Sequence, residues 1–261
     1  TERIGARTLR TMFTVERLKS GLPVLTAPTT GTQAVTVLVF AGAGSRYEIN
    51  KERGISHFLE HMFFKGANRY KNAKAVSAAI DSVGGEFNAF TSKEYAGYYV
   101  KTAAQNMRLA MDVLSDMMLN ARFDQEEIEK ERGVIMEEFN MYQDTPMYQV
   151  AWNFERGMFG DQPIGWDEVG TKDVIKALQR DDFVAYKESL YVPEAMVISL
   201  AGAVDHDEVV AMVQELFPME ARKATGKFLP FEAGLPTRQR VSFQTKKTEQ
   251  AHVVCGVPGY P

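Results

Sequence analysis

The sequence predicts an α+β fold, a mixed and mostly antiparallel sheet covered by helices, on three observations. Strand-type and helix-type patterns come in blocks (strands, helices, strands, helices, strand, helix) rather than in strict βαβ alternation. No segment repeats at a period of roughly 20–50 residues, which sets solenoids and propellers aside. The 261 residues are 45% hydrophobic and 25% charged, a balance that suits a soluble chain with a sizeable core.

The elements follow in order. Residues 9–17 and 23–27 carry β-type runs around Lys19-Ser20-Gly21 and read as a hairpin. Ala34 to Phe40 is a strongly apolar strand stopped by Gly42 and Gly44. Gly54 to Lys65 is apolar and largely unbranched, a buried helix closed by Gly66. Residues 72–83 form a second helix, capped by Asn72 and stopped at Gly84-Gly85. Residues 86–91 and 95–101 pair as strands. Two long helices cover 104–120 and 124–142, the second with an acidic first turn that suits the helix dipole. Helices at about 145–158 and 180–190, a buried strand at 195–204 and a helix at 205–216 complete a domain over residues 1–225. Pro230, Pro236 and many charges mark 226–240 as a linker. Strand patterns at 240–245 and 250–254 place the opening strands of a second, truncated domain in 241–261.

Thirty basic against thirty-four acidic residues give a net charge of −4, the wrong sign for a protein that binds nucleic acid through its phosphates. No apolar run reaches the ~18–20 residues of a membrane span. The N-terminal stretch has no apolar leader, so a cytoplasmic location is the default expectation, or a periplasmic one if a leader has been removed. With a single cysteine, Cys255, any metal must be held by carboxylates and the four histidines.

Two of those histidines, His57 and His61, are four residues apart on one helix, about 40° of arc, so both rings can reach one ion. Glu60 lies beside them, about 60° from His57 on the other side. Two histidines and an adjacent glutamate suit a hydrolytic zinc site. The rings fix the cation, and the carboxylate takes a proton from water that the cation acidifies. The alternative is two histidines sharing a face by coincidence, with Glu60 solvated. Against it, Phe58, Leu59, Met62, Phe63 and Phe64 surround the three polar groups, which then need partners.

A third ligand is required, and helix 124–142 offers candidates. With Glu131 at zero degrees, Ile128, Ile135, Tyr142 and Val134 fall within about 60° of it, and Glu138 at about −20°. Glu137 points about 100° further round than Glu138, toward solvent, and Glu127 occupies the first turn. Glu131 and Glu138 thus lie in the apolar arc about 10 Å apart along the axis, so that one can ligate while the other orients a ligand.

The pattern His57-Phe58-Leu59-Glu60-His61, followed by ERGVIMEE at 131–138, AGAGSRYE at 41–48 and GGEFNAFTSKE at 84–94, resembles the pitrilysin-type (M16, inverzincin) zinc metallopeptidases. The likeness is to the N-terminal half of the bacterial branch akin to the β subunit of the mitochondrial processing peptidase. It runs from about residue 12 to the end. The resemblance implies the LuxS/pitrilysin-type metallohydrolase half-domain. It implies one Zn2+ held by His57, His61 and Glu138 (138 − 61 = 77, the family's spacing), Glu60 as general base and Glu131 in support of the site. It further implies that an extended peptide or unfolded polypeptide adds to the strand carrying Asn88, Ala89, Phe90 and Thr91. Asn88 and Ala89 would contact the substrate backbone, and Phe90 would line the pocket beside the scissile bond. Family members enclose their substrate between two homologous halves, so the partner is a second half-domain or partner chain. Two other functions compete. One is a non-catalytic partner or structural subunit, which the intact motif argues against. The other is a thioether-cleaving lyase of the LuxS type, whose cysteine ligand Cys255 is wrongly placed to supply.

Overall fold

A computed structural model describes residues 13–232 and 241–257. Six strands form one sheet: β1 (Thr14–Arg17), β2 (Pro23–Pro28), β3 (Ala34–Ala41), β4 (Glu86–Thr91), β5 (Ala96–Ala103) and β6 (Met196–Gly202). Their spatial order is β1-β2-β6-β3-β5-β4, and only the β2–β6 pair is parallel. Eight α-helices accompany them among the described residues: α1 (Ile55–Phe63), α2 (Ala73–Asp81), α3 (Met107–Asn120), α4 (Gln125–Asp144), α5 (Pro146–Phe159), α6 (Lys172–Ala177), α7 (Arg180–Leu190) and α8 (His206–Leu216). The architecture is therefore the expected α+β one, with a mostly antiparallel sheet.

Period-two alternation decides which face of the sheet is covered. Along β3, Val35, Val37, Val39 and Ala41 are buried while the residues between them are half-buried. Register carries that face across to Tyr98 and Val100 on β5 and then to Phe87 and Ala89 on β4. Helices pack on this side. Phe63 of α1 sits edge-on to Tyr98 with ring centres 5.1 Å apart, and Phe58 meets Phe183 of α7 at 4.8 Å. Each such ring contributes about 1.5–3 kcal/mol by leaving water, enough to pin α1 between the sheet and α7.

The cap expected at Asn72 is present, and Asp205 caps α8 likewise: each side chain accepts the backbone N–H three residues on, from Ala75 and Glu208. Other expectations are corrected. Val134 is 52% exposed, because α4 buries only a narrow stripe, Ile128, Glu131 and Ile135. Helix α6 has no counterpart in the sequence pattern; at six residues it is too short to display a helical period. Residues 9–12 of the first expected strand lie outside the described residues, as do 233–240 of the expected linker and 258–261. The strands expected at 240–245 and 250–254 do not form over 241–257. A strand needs a paired neighbour, and here the alternating apolar residues Val241, Phe243 and Val253 are exposed. The segment instead touches α4 and α5 through side chains, with Asn153 donating to Gln244 and Lys246 paired with Asp144 at 2.9 Å.

Candidate metal centre

Helix α1 begins immediately after Gly54, whose φ of +93° and lack of a side chain are both required. A Cβ there would lie 2.7 Å from the Val169 carbonyl oxygen and 2.9 Å from Gly170 Cα. The helix buries Ile55, Ser56, Phe58, Leu59, Met62 and Phe63, leaving His57, Glu60 and His61 on the half-buried flank that faces α4 and β4. Helix α4 lies alongside, held in part by Arg132, which donates to the Ile175 and Leu178 carbonyls at the end of α6.

Across this interface Glu138 Oε2 lies 3.6 Å from His57 Nε2 and 3.5 Å from His61 Nε2. Ligand atoms of the three side chains all fall within 4.8 Å of one another. These gaps are too long for good hydrogen bonds, yet they match the ~3.4 Å edge of a tetrahedron with ~2.1 Å metal–ligand bonds. Two imidazoles and one carboxylate are also the donor set a catalytic zinc uses, so the residues fit that ion. His57 beside it draws the Glu138 carboxyl down to about 2 against the opposing effect of burial, with Tyr142 and His61 pulling the same way.

Glu131, with its side chain only 7% exposed, accepts from His61 Nδ1 at 2.8 Å and from Lys65 Nζ at 2.6 Å. Burial pushes its carboxyl up, but these two partners outweigh that and leave it lowered. The bond to Nδ1 turns His61 Nε2 toward Glu138. Sequence reasoning did not single out Lys65, though it follows His61 by four residues and so shares its face. Glu137 is exposed and is not one of the cluster. Glu60 makes no side-chain hydrogen bond or ion pair among the described residues; it lines a cleft with His61, Lys65, Glu131, Phe87 and Ala89.

Strand β4 is the sheet edge beside this cleft. The β4–β5 turn closes with Ser92 N–H donating to the Tyr95 carbonyl. Alternation from that bond turns the backbone groups of Phe87, Ala89 and Thr91 toward the free edge. Asn88 Oδ1 accepts the outward Ala89 N–H at 2.9 Å, while Thr91 Oγ1 is buried with no partner among the described residues. Phe87 and Ala89 face the α1 side of the sheet, Phe87 with its ring 5.6 Å from that of Phe64. Phe90 points to the other face, its ring over Gly97 and near Phe40 and Tyr95.

One inverted His-x-x-Glu-His helix and a glutamate from a second helix thus converge beside a free strand edge, a class of donor arrangement that could hold a metal ion. Comparison with known proteins narrows the class. The family model described as Insulinase (Peptidase family M16) matches residues 23–167, and that of the Peptidase M16 inactive domain matches 177–261. The chain belongs to peptidase family M16. All four motif residues lie within the first match. An uncharacterized zinc protease of Streptomyces coelicolor is 38% identical over 93% of this chain and 54% of its own length. The uncharacterized zinc protease YmxG of Bacillus subtilis is 39% identical over 87% and 54%. The chain thus spans about half the length of these curated relatives. Among solved structures, the periplasmic protease PqqL from Escherichia coli superposes with a TM-score of 0.79 at 24% identity, over 86% of this chain and 26% of that one. A protease from Helicobacter pylori gives 0.77 at 24%, over 84% and 53%. No helix among the described residues is long and apolar enough to cross a membrane.

Proposed function

We propose that this chain is the metal-bearing half of a zinc-dependent endopeptidase that hydrolyses extended or unfolded polypeptides. The observation that carries the reading is the convergence of His57, His61 and Glu138, with Glu60 lining the adjoining cleft. Zinc bound by the three residues would supply Lewis-acid polarisation of the scissile carbonyl and a lowered water pKa. His57 and His61 would hold the ion through neutral imidazoles, His61 kept in the right tautomer by Glu131. Glu60, in the same cleft and without a side-chain partner among the described residues, takes a proton from water and delivers it to the leaving amine.

The substrate adds to the free edge of β4, where Ala89 and Thr91 offer backbone groups. Asn88 moves off the Ala89 N–H to admit the substrate backbone, and Phe90 flanks side chains on the open face. That mode accepts many sequences, which suits unfolded polypeptides. Residues 241–261 open a second homologous domain, and the rest of that half, or a partner chain, closes over the substrate. Relatives named zinc proteases, of whose length this chain spans 54%, support a second part beyond this one. The test is metal analysis of the purified chain, then digestion of an unstructured peptide with and without the second half. One zinc per chain and cleavage dependent on the second half are expected. A chain that retains no zinc contradicts the reading.

A further inference from the structure

The first turn of α1 has no side-chain cap of its own, since its N-cap is Gly54. The N–H groups there need acceptors from elsewhere, and Glu48, nine residues before His57, supplies them. Its side chain is fully buried. Oε2 accepts the Gly54 N–H at 2.8 Å, and Oε1 accepts both the Ser56 N–H at 2.9 Å and the Ser56 hydroxyl at 2.6 Å. With its proton given to Glu48, Ser56 Oγ accepts from the Tyr186 hydroxyl of α7 at 2.6 Å, and that hydroxyl in turn accepts the Gly44 N–H at 3.3 Å. A carboxylate at a helix N-terminus is favoured by the dipole, and every hydrogen bond it accepts offsets the cost of burying it.

The residue after Ser56 is His57, and the two histidines are held differently. Glu131 fixes the ring of His61 through Nδ1, whereas Nδ1 of His57 is buried with no hydrogen-bond partner among the described residues. The direction of the His57 ring is left to packing and to the backbone turn that carries it. That turn hangs on Glu48.

We infer that Glu48 is a positioning residue of the metal centre, holding the first turn of α1 through Gly54 and Ser56 so that His57 Nε2 converges with His61 and Glu138. The inference rests on the metal-site reading above. Glutamine in its place keeps the shape but turns an NH2 toward one of the N–H donors, so at least one bond is lost and the turn relaxes. The Ser56→Ala change removes only the hydroxyl link and is the milder probe.

The experiment compares wild type, Glu48→Gln and Ser56→Ala as full 261-residue chains. Zinc affinity is read by chelator competition, the visible ligand-field spectrum of the Co2+-loaded chain reports ligand geometry, and circular dichroism reports folding. Glu48→Gln is expected to stay folded, bind zinc about tenfold or more weakly, and show an altered cobalt spectrum. Ser56→Ala shifts both readouts the same way by a few-fold. A folded Glu48→Gln chain with lowered thermal stability but wild-type affinity and spectrum overturns the inference, because its role is then structural only. If Glu48→Gln fails to fold, wild-type readouts from Ser56→Ala overturn it instead. A wild-type chain that binds neither metal refutes the metal-site reading itself, and this inference with it.

Discussion

Replacing Glu131 by glutamine should damage the metal site more than the loss of one hydrogen bond suggests, because of Lys65. The carboxylate bridges two groups, His61 Nδ1 at 2.8 Å and Lys65 Nζ at 2.6 Å. An ammonium can only donate, so the amide introduced by Glu131→Gln turns its oxygen to Lys65 and its NH2 to His61. Nδ1 must then accept, which places the proton on Nε2, the atom needed for the metal. Partners of this kind are worth about 10–100-fold in metal affinity, or ~1.4–2.7 kcal/mol, and the enforced tautomer puts Glu131→Gln at the upper end. Removing the lysine as well frees the amide to rotate and accept from Nδ1–H. The double variant Lys65→Met/Glu131→Gln should therefore regain about tenfold over Glu131→Gln alone, a non-additive cycle. Zinc affinity by chelator competition on wild type, Lys65→Met, Glu131→Gln and the double variant measures it. Equal affinity in wild type and Glu131→Gln, or strict additivity in the double variant, refutes the tautomer argument.

Other outcomes follow from the same geometry. Glu138→Gln should lose zinc while keeping the fold, whereas Glu137→Gln, altered at an exposed site, should retain it; metal content after gel filtration separates them, and equal loss contradicts the assignment. Gly54→Ala forces a side chain into left-handed backbone and against the Val169 carbonyl, and should destabilise the chain by about 2–4 kcal/mol in urea unfolding. Burial, opposed by its bonds to Ser56 and Gly54 and aided by nearby Glu52, raises the Glu48 carboxyl to about 7. A carboxyl raised on folding binds its proton more tightly in the native state. Its contribution thus favours folding at low pH and is lost as pH rises from about 4.5 to 7, by up to about 3 kcal/mol. Glu48→Gln should flatten that part of the metal-free stability profile, and an unchanged slope sinks the argument.

Much of this was legible in the sequence because the relevant signals are periodic. The four-residue spacing placed His57 and His61 on one flank, and the helical wheel of 124–142 separated buried Glu131 and half-buried Glu138 from exposed Glu137. The apolar run from Ala34 to Phe40 marked β3, while only its burial pattern in the fold shows which face is covered. Val134 misled because a helical wheel shows which residues share an arc, but not how wide an arc the neighbouring elements cover. The 241–257 strands failed for a related reason: alternation states readiness to pair, and pairing needs a neighbour. Glu48 and Lys65 drew no functional reading, since a lone charge carries no period; only the fold reveals that one caps the metal helix and the other shares Glu131 with a histidine.

The central claim is that Glu60 performs chemistry while His57, His61 and Glu138 hold the ion. The direct measurement is zinc content and peptide turnover of Glu60→Gln beside wild type, in protein that contains both halves. The account predicts one zinc per chain in each and a turnover lower by about two to four decades in the variant. Full peptidase activity in Glu60→Gln contradicts it, and so does loss of zinc from that variant, since Glu60 would then be a ligand rather than the base.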